Sequence, residues 1–155
     1  MAVKSSSSSM SEITESLAAI SLKREEIDLL FVDDNLIERK IAERFLSQYK
    51  LTYVTAQDGK SAIEALKKYK FHLVIIDYEM PDMNGIEALK TWQKDDKDNK
   101  IILKTTVIIL NTTIPEVAKK DKYYKQAHIT ELLTSKLRTK TDFNELLDKY
   151  LKEAD

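Results

Sequence analysis

Hydrophobic and polar positions alternate along this chain with two different periods, starting at about residue 25. Short apolar runs that end in acids or turn-forming residues indicate buried strands. The five segments of this kind are IDLLFVDD (27–34), LTYVTA (51–56), HLVIID (72–77), TTVIILN (105–111) and TELLTS (130–135). The longer runs are apolar without alternation, which is typical of strands that are buried on both faces.

Between these segments the apolar residues recur at helical spacing, so each connection predicts a helix. The first helix begins after Asn35, whose side chain can cap it. We expect its apolar residues to share one face, and they are Leu36, Ile37, Ile41, Phe45 and Leu46. The predicted helices cover residues 35–49, 58–69, 85–94, 115–127 and 141–154. Strands and helices that alternate in this way predict an α/β fold, a flavodoxin-like doubly wound sheet of five parallel strands with five helices.

Two segments depart from this pattern. Residues 1–23 contain the low-complexity run Ser5–Ser9, and we expect them to form a flexible N-terminal tail before a domain at 24–155. A short helix over residues 13–20 is the alternative, because three apolar residues there have helical spacing. The charged stretch Asp95–Lys104 fits an insertion, an early start of the next strand or an extra turn, and the pattern does not decide between them.

Composition narrows the class of protein without identifying it. Hydrophobic residues make up 43% and charged residues 33% of the chain, and the net charge of −1 gives no pull toward nucleic acid or anionic membrane. The chain has no cysteine, which excludes disulfides and thiolate metal sites and suits a cytoplasmic location. His72 and His128 lack the spacing of a zinc site. No apolar run reaches the ~20 residues of a membrane span, and the N-terminus lacks the apolar core of a signal peptide.

Acidic residues end two of the predicted strands. The first strand ends in Asp33 and Asp34, and the third ends in Asp77, just before a turn that contains Pro81 and Gly85. In the flavodoxin-like order these two strands are neighbours, so the three carboxylates should converge at the carboxyl edge of the sheet. Like charges at this distance destabilise one another, and a hard divalent cation relieves the repulsion. The pattern predicts a Mg²⁺ site that works with a phosphoryl group, whereas the alternative is a set of solvated strand ends.

Three segments resemble the receiver domain of two-component response regulators. DYEMPDMNG (77–85) is similar to the phosphoacceptor loop of that family, and LLFVDDN (29–35) is similar to its first strand and acidic pair. AQDGKSAIEAL (56–66) resembles the signature of its second helix, and the resemblance covers nearly all of residues 27–151. Together, in this order, the three motifs are specific to the family.

The resemblance implies a role for each acid. Asp77 would be the phosphoacceptor, whose carboxylate attacks the phosphoryl group of a phosphohistidine and forms an acyl phosphate. Asp33, Asp34 and Asp77, with the backbone carbonyl of Glu79, would bind Mg²⁺, which neutralises charge on the transferring phosphoryl group.

Two further family residues have candidates here. Lys136 would pair with the phosphoryl group, and the residue after it is Leu137 instead of the usual proline, so a trans peptide bond is expected. The Ser or Thr that should end the fourth strand is Thr112 in the register that we prefer, with Thr113 in place of a small residue. In the alternative register Asn111 takes that position and the hydroxyl is lost.

Other positions differ from the family pattern. Leu132 or Leu133 replaces the aromatic residue of the last strand, and His128 replaces the usual glycine after Ala127, as a surface residue. These differences predict that the phosphorylation switch is muted or uses other side chains.

The leading hypothesis is therefore a stand-alone receiver in a phosphorelay. It would accept phosphate from a histidine kinase or histidine-phosphotransfer protein, with the helix after Asn35 as docking surface, and would catalyse only its own phosphorylation and dephosphorylation. We expect a monomer or weak dimer that binds neither nucleic acid nor membrane. One alternative is a degenerate receiver that binds partners without phosphate. The other is a phosphatase of the haloacid dehalogenase type, although its Asp-x-Asp mark is missing from the first strand.

Overall fold

The computed structural model describes residues 24–151, which form one five-stranded parallel sheet with helices on both faces. The strands are β1 (Glu25–Val32), β2 (Tyr53–Ala56), β3 (Tyr69–Asp77), β4 (Val107–Asn111) and β5 (Glu131–Leu133). The helices are α1 (Leu36–Leu46), α2 (Gly59–Lys68), α3 (Gly85–Asp95), α4 (Asn99–Thr105), α5 (Pro115–Lys119) and α6 (Lys140–Tyr150). The strand order is β2-β1-β3-β4-β5, and every pairing is parallel. The predicted flavodoxin-like α/β fold is thereby confirmed.

Side chains of the central strands alternate between two apolar layers. On one face, strand residues such as Phe31 and Ile75 pack with Phe143 of α6 and with the buried face of α1. On the other face, residues such as Val74 pack against α2, α3 and α4, where Trp92 is fully buried. Asp33 lies two residues after Phe31, and Asp77 lies two residues after Ile75. Because strand side chains alternate between the two faces, both aspartates leave the sheet on the side of α1 and α6.

Side-chain caps fix where the helices that border the carboxyl edge begin. The Asn35 side chain accepts hydrogen bonds from the amides of Ile37 and Glu38, as the sequence predicted, at 2.8 and 3.2 Å. The Asn35 amide in turn donates to Asp33 at 2.9 Å. Because each bond satisfies an amide that a helix end would leave unpaired, α1 starts directly beside the acidic pair.

The stretch left open in the sequence contains an additional helix, α4, so the described residues have six α-helices where five were predicted. Two salt-bridging hydrogen bonds of 2.6 and 2.7 Å join Arg24 to Asp96, which also accepts from the Trp92 indole at 2.9 Å. This network ties the start of β1 to the end of α3, and it orients the chain for the extra helix. The predicted tail and its alternative helix lie outside the described residues.

The helix predicted over residues 115–127 is shorter than expected. It ends at Lys119 as α5, and a 3₁₀ turn covers Lys125–Ala127. The Asp121 side chain accepts a hydrogen bond from the Tyr123 amide at 2.9 Å, a local turn that competes with helical hydrogen bonding. His128 is exposed, as predicted, and has a positive φ of 56°, which explains why glycine suits this position.

No helix within residues 24–151 combines the length and the apolar composition that a membrane span requires.

The first helical residues of α2 and α3 offer a matched test of close packing. A Cβ on Gly85 would lie 2.4 Å from the backbone oxygen of Asp77, whereas a Cβ on Gly59 would lie 2.7 Å from the flexible side chain of Met83. We expect Gly85→Ala to lower the free energy of unfolding by about 1–3 kcal/mol, since backbone must move. Gly59→Ala should cost less, because Met83 can turn away. Urea unfolding measures the free energy of unfolding of both variants. Equal losses would contradict the different contacts that we assign to the two glycines.

Candidate functional site

Three carboxylates from two strands meet at the carboxyl edge of the sheet. Asp33 and Asp34 follow β1, Asp77 ends β3, and one oxygen of each lies within 4.8 Å of the others. Asp33 and Asp77 are buried and Asp34 is exposed. The structure therefore brings together the acids that the sequence placed on neighbouring strands, and their oxygens are close enough to contact a single ion.

Lys136 closes this cluster from the loop after β5. Its Nζ lies 3.0 Å from Asp33 Oδ2 and 3.5 Å from Asp77 Oδ2. The next residue, Leu137, is 7% exposed and packs in the apolar layer with Phe143. Every peptide bond in the part of the chain that the structure describes is trans, as expected for Lys136–Leu137.

Asn111, at the end of β4, restrains the same loop through hydrogen bonds. Its side-chain amide donates to the carbonyls of Leu133 and Ser135 at 3.2 and 2.8 Å. A buried amide that satisfies two loop carbonyls restrains the backbone directly before Lys136. Asn111 on one side and the buried Leu137 on the other thus fix the orientation of Lys136, although no proline follows the lysine.

The preferred position of Thr112 is not supported by the geometry. The register pairs Asp77 with Asn111, so Asn111 points to the same side as the acid, and the next residue points away. Thr112 is 1% exposed, and its hydroxyl accepts a hydrogen bond from the Ile114 amide at 3.0 Å. Of the two threonines, Thr113 and not Thr112 lines the cleft around the acidic cluster. The structure therefore favours the alternative register, with Asn111 in the Ser/Thr position.

An open cleft of about 700 Å³ surrounds the cluster. Its lining residues are Asp33, Asp34, Asn35, Leu36, Ile37, Glu38, Asp77, Glu79, Thr113, Lys136 and Arg138. Glu79, the predicted carbonyl ligand, lies in this set. Sequence reasoning missed Glu38 and Arg138, which form an ion pair with an Nη2–Oε1 distance of 2.5 Å. The spacing of Arg138, two residues beyond Lys136, could have placed Arg138 beside the cleft, but it carried no information on the pairing with Glu38.

Burial and charge both act on the central acid. Desolvation raises the pKa of Asp77 to about 7, against the opposing charge of Lys136 and with the added repulsion of Asp33. Desolvation alone would lower the pKa of Lys136, but the hydrogen bond to Asp33 and the charge of Asp77 outweigh it and raise that pKa.

The donor set fits a hard divalent cation. Three carboxylates converge, and within residues 24–151 the ammonium group of Lys136 is the one cation in salt-bridge contact with them. Oxygen ligands of this kind are those that Mg²⁺ prefers. A cation here would relieve the repulsion that Lys136 leaves uncompensated.

A doubly wound sheet with an acidic cluster and a lysine at its carboxyl edge defines the class of the protein, and the comparisons identify the family. The sequence matches the response regulator receiver domain over residues 29–133. The chain therefore belongs to this family, which confirms the resemblance. Transcription factor SKN7 of Saccharomyces cerevisiae is 30% identical over 130 residues, covering 84% of this chain and 20% of that protein. Response regulator mcs4 of Schizosaccharomyces pombe is 37% identical over 75 residues, covering 48% of this chain and 14% of that protein.

Solved structures share the fold. Chemotaxis protein CheY4 of Vibrio cholerae has a TM-score of 0.64 at 26% identity, covering 83% of this chain and 99% of that one. The receiver domain of Ssk1 from Saccharomyces cerevisiae, solved with the histidine phosphotransfer protein Ypd1, has a TM-score of 0.65 at 24% identity, covering 82% of this chain and 90% of that one. The receiver domain of sensor histidine kinase PA1611 from Pseudomonas aeruginosa, solved with magnesium in its active site cleft, has a TM-score of 0.62 at 17% identity, covering 84% of this chain and 99% of that one.

Removing the Asp77 charge should change stability in a pH-dependent way when no metal is bound. Because its folded pKa is raised to about 7, the folded state binds the proton more tightly than the unfolded chain, where the group titrates near ~4. Relative to Asp77→Asn, the wild type should lose stability as the pH rises from about 4 to about 7. Urea unfolding of both proteins in a chelator measures this, and a difference that is constant with pH would contradict it.

Proposed function

We propose that this receiver domain, residues 24–155, accepts a phosphoryl group on Asp77 in a Mg²⁺-dependent manner from the phosphohistidine of a histidine kinase or histidine-phosphotransfer protein. The observation that carries the proposal is the cluster of Asp33, Asp34 and Asp77 within 4.8 Å, with Lys136 at 3.5 Å from Asp77. Support for the donor comes from Ssk1, whose receiver was solved with a histidine phosphotransfer protein.

The chemistry is nucleophilic attack by a carboxylate. An oxygen of Asp77 forms a bond to phosphorus while the phosphorus–nitrogen bond to histidine breaks, and the electron pair of that bond stays with the imidazole nitrogen. The product is an acyl phosphate on Asp77. Attack by water on phosphorus later releases inorganic phosphate and restores the carboxylate, so the domain turns over only its own phosphoryl group.

The residues around Asp77 would bind the metal ion and orient the phosphoryl group. Asp33 and Asp34, with the Glu79 carbonyl, would hold Mg²⁺, which supplies positive charge to the transferring phosphoryl oxygens when it is bound. Lys136 presents an ammonium group beside both Asp33 and Asp77, where it would orient and neutralise an incoming phosphoryl group. The raised pKa of Asp77 makes cationic neighbours necessary, because only the ionised carboxylate is a nucleophile.

A phosphate-independent binding module is the second candidate. It is favoured by Asn111, whose amide is occupied by loop carbonyls, and by the leucine, Leu132 or Leu133, that replaces an aromatic side chain in β5. The buried and mutually repelling Asp33 and Asp77 argue against it, because a module that never binds a cation gains nothing from them.

Phosphorylation with a small-molecule donor tests the proposal directly. Incubation with Mg²⁺ and phosphoramidate should add one alkali-labile phosphoryl group per chain, detected by intact-protein mass spectrometry. Asp77→Asn should remain unlabelled, and a chelator should abolish labelling of the wild type. Asp82→Asn is the matched control, since Asp82 is an exposed carboxylate of the same loop and asparagine tolerates its positive φ of 68°. Labelling of Asp77→Asn to the wild-type level refutes the assignment, and an unlabelled wild type favours the binding module.

The exposed apolar residues at the start of α1 predict where a donor protein docks. Leu36 and Ile37 are 58% and 68% exposed beside the cleft, whereas Val117 is 53% exposed on α5. Ile37→Ala should slow transfer from a phosphorylated histidine-phosphotransfer protein roughly tenfold, the effect of losing an apolar anchor. Labelling by phosphoramidate should stay unchanged. Val117→Ala serves as control, and equal slowing in both variants would exclude docking at α1.

A further inference from the structure

The loop after β5 presents two cations to the cleft. Lys136 and Arg138 both line it, whereas Leu137 between them is buried against Phe143. In an extended segment, side chains two residues apart leave the backbone on the same side. The anchored leucine therefore directs Arg138 into the cleft that also contains Asp77.

The Arg138 guanidinium has capacity to bind a further anion. Its one side-chain hydrogen bond among residues 24–151 is donated from Nη2 to Glu38 Oε1, and its side chain is 60% exposed. A guanidinium has five N–H donors in a planar fork that matches two oxygens of a phosphate group. One of these five donors is used by Glu38, and the exposed side chain leaves the others accessible to solvent.

Phosphorylation of Asp77 creates a charge that the cluster does not already balance. A phosphoryl group carries about two negative charges near neutral pH, whereas the carboxylate that it replaces carries one. Lys136 is already held between Asp33 and Asp77, and the Asn111 amide is held by loop carbonyls. Among the cleft-lining residues that the structure describes, Arg138 is the cation with the larger number of unpaired donors, since one of its five N–H groups is bonded whereas Lys136 already contacts two carboxylates.

We propose that Arg138 moves from Glu38 to the phosphoryl group on Asp77, and that this exchange couples phosphorylation to the first turn of α1. The inference rests on the proposed function of Asp77. Glu38 has an 8% exposed side chain in that first turn, next to the exposed Ile37. When Arg138 leaves, a nearly buried carboxylate loses its charged partner, which disfavours the resting arrangement of this turn. The phosphorylated and resting forms would thus present different docking surfaces.

Two substitutions that break the same ion pair separate this role from a structural one. The full chain is titrated with beryllofluoride, a phosphoryl mimic, in the presence of Mg²⁺, and binding is followed by the Nε–H resonance of Arg138 and by backbone amides. Arg138→Gln should weaken binding about tenfold, as expected for lost charge-assisted hydrogen bonds, and Arg138→Lys should recover part of the loss. Glu38→Gln should tighten binding several-fold, because Arg138 no longer has a competing carboxylate.

The outcomes discriminate between the proposals. A purely structural ion pair would make Arg138→Gln and Glu38→Gln change affinity in the same direction, which would overturn the inference. An Arg138 Nε–H resonance that does not move when the wild type binds beryllofluoride would also overturn it, without any use of variants. A wild type that neither binds beryllofluoride nor labels on Asp77 would refute the proposed function, and the role of Arg138 with it.

Discussion

Repulsion among the carboxylates of Asp33, Asp34 and Asp77 is the constraint on which the site depends. The parallel order of β1 and β3 forces these groups together, and burial of two of them raises the cost of their charge. Lys136 offsets part of that cost at 3.0 and 3.5 Å. A divalent cation at these oxygens would relieve the repulsion, and only with such a cation bound would the cleft also accommodate the negative charge of a phosphoryl group.

The position of Lys136 shows how a loop can be aimed by packing and hydrogen bonds. Asn111 binds the carbonyls on one side of the lysine, and Leu137 is buried on the other. Asn111 can do this because it is in register with Asp77 and shares its face of the sheet. Asn111, which stands where a hydroxyl residue was expected, therefore also stabilises the loop that carries Lys136.

Sequence reasoning recovered the parts of the site that follow from strand order alone. The convergence of Asp34 and Asp77 needed only two strand ends and a parallel sheet, and Asn35 capped its helix as its type predicts. The side on which Thr112 points depends on where β4 ends its pairing, which a single-residue shift reverses. The pair of Glu38 with Arg138 joins residues 100 positions apart, and no local pattern carries that information.

The start of α1 brings chemistry and recognition to the same few residues. Asn35 links it to Asp33, Glu38 links it to Arg138, and Leu36 and Ile37 leave it exposed to solvent. A partner that docks on these apolar side chains would contact the turn whose arrangement we propose to depend on the charge of the cleft. Binding free energies that share such an element are reciprocal, so a factor by which phosphorylation changes partner affinity is also the factor by which the partner shifts phosphorylation. Under the proposed function, α1 would both respond to the charge of the cleft and receive the donor, so that phosphorylation and docking would share one equilibrium.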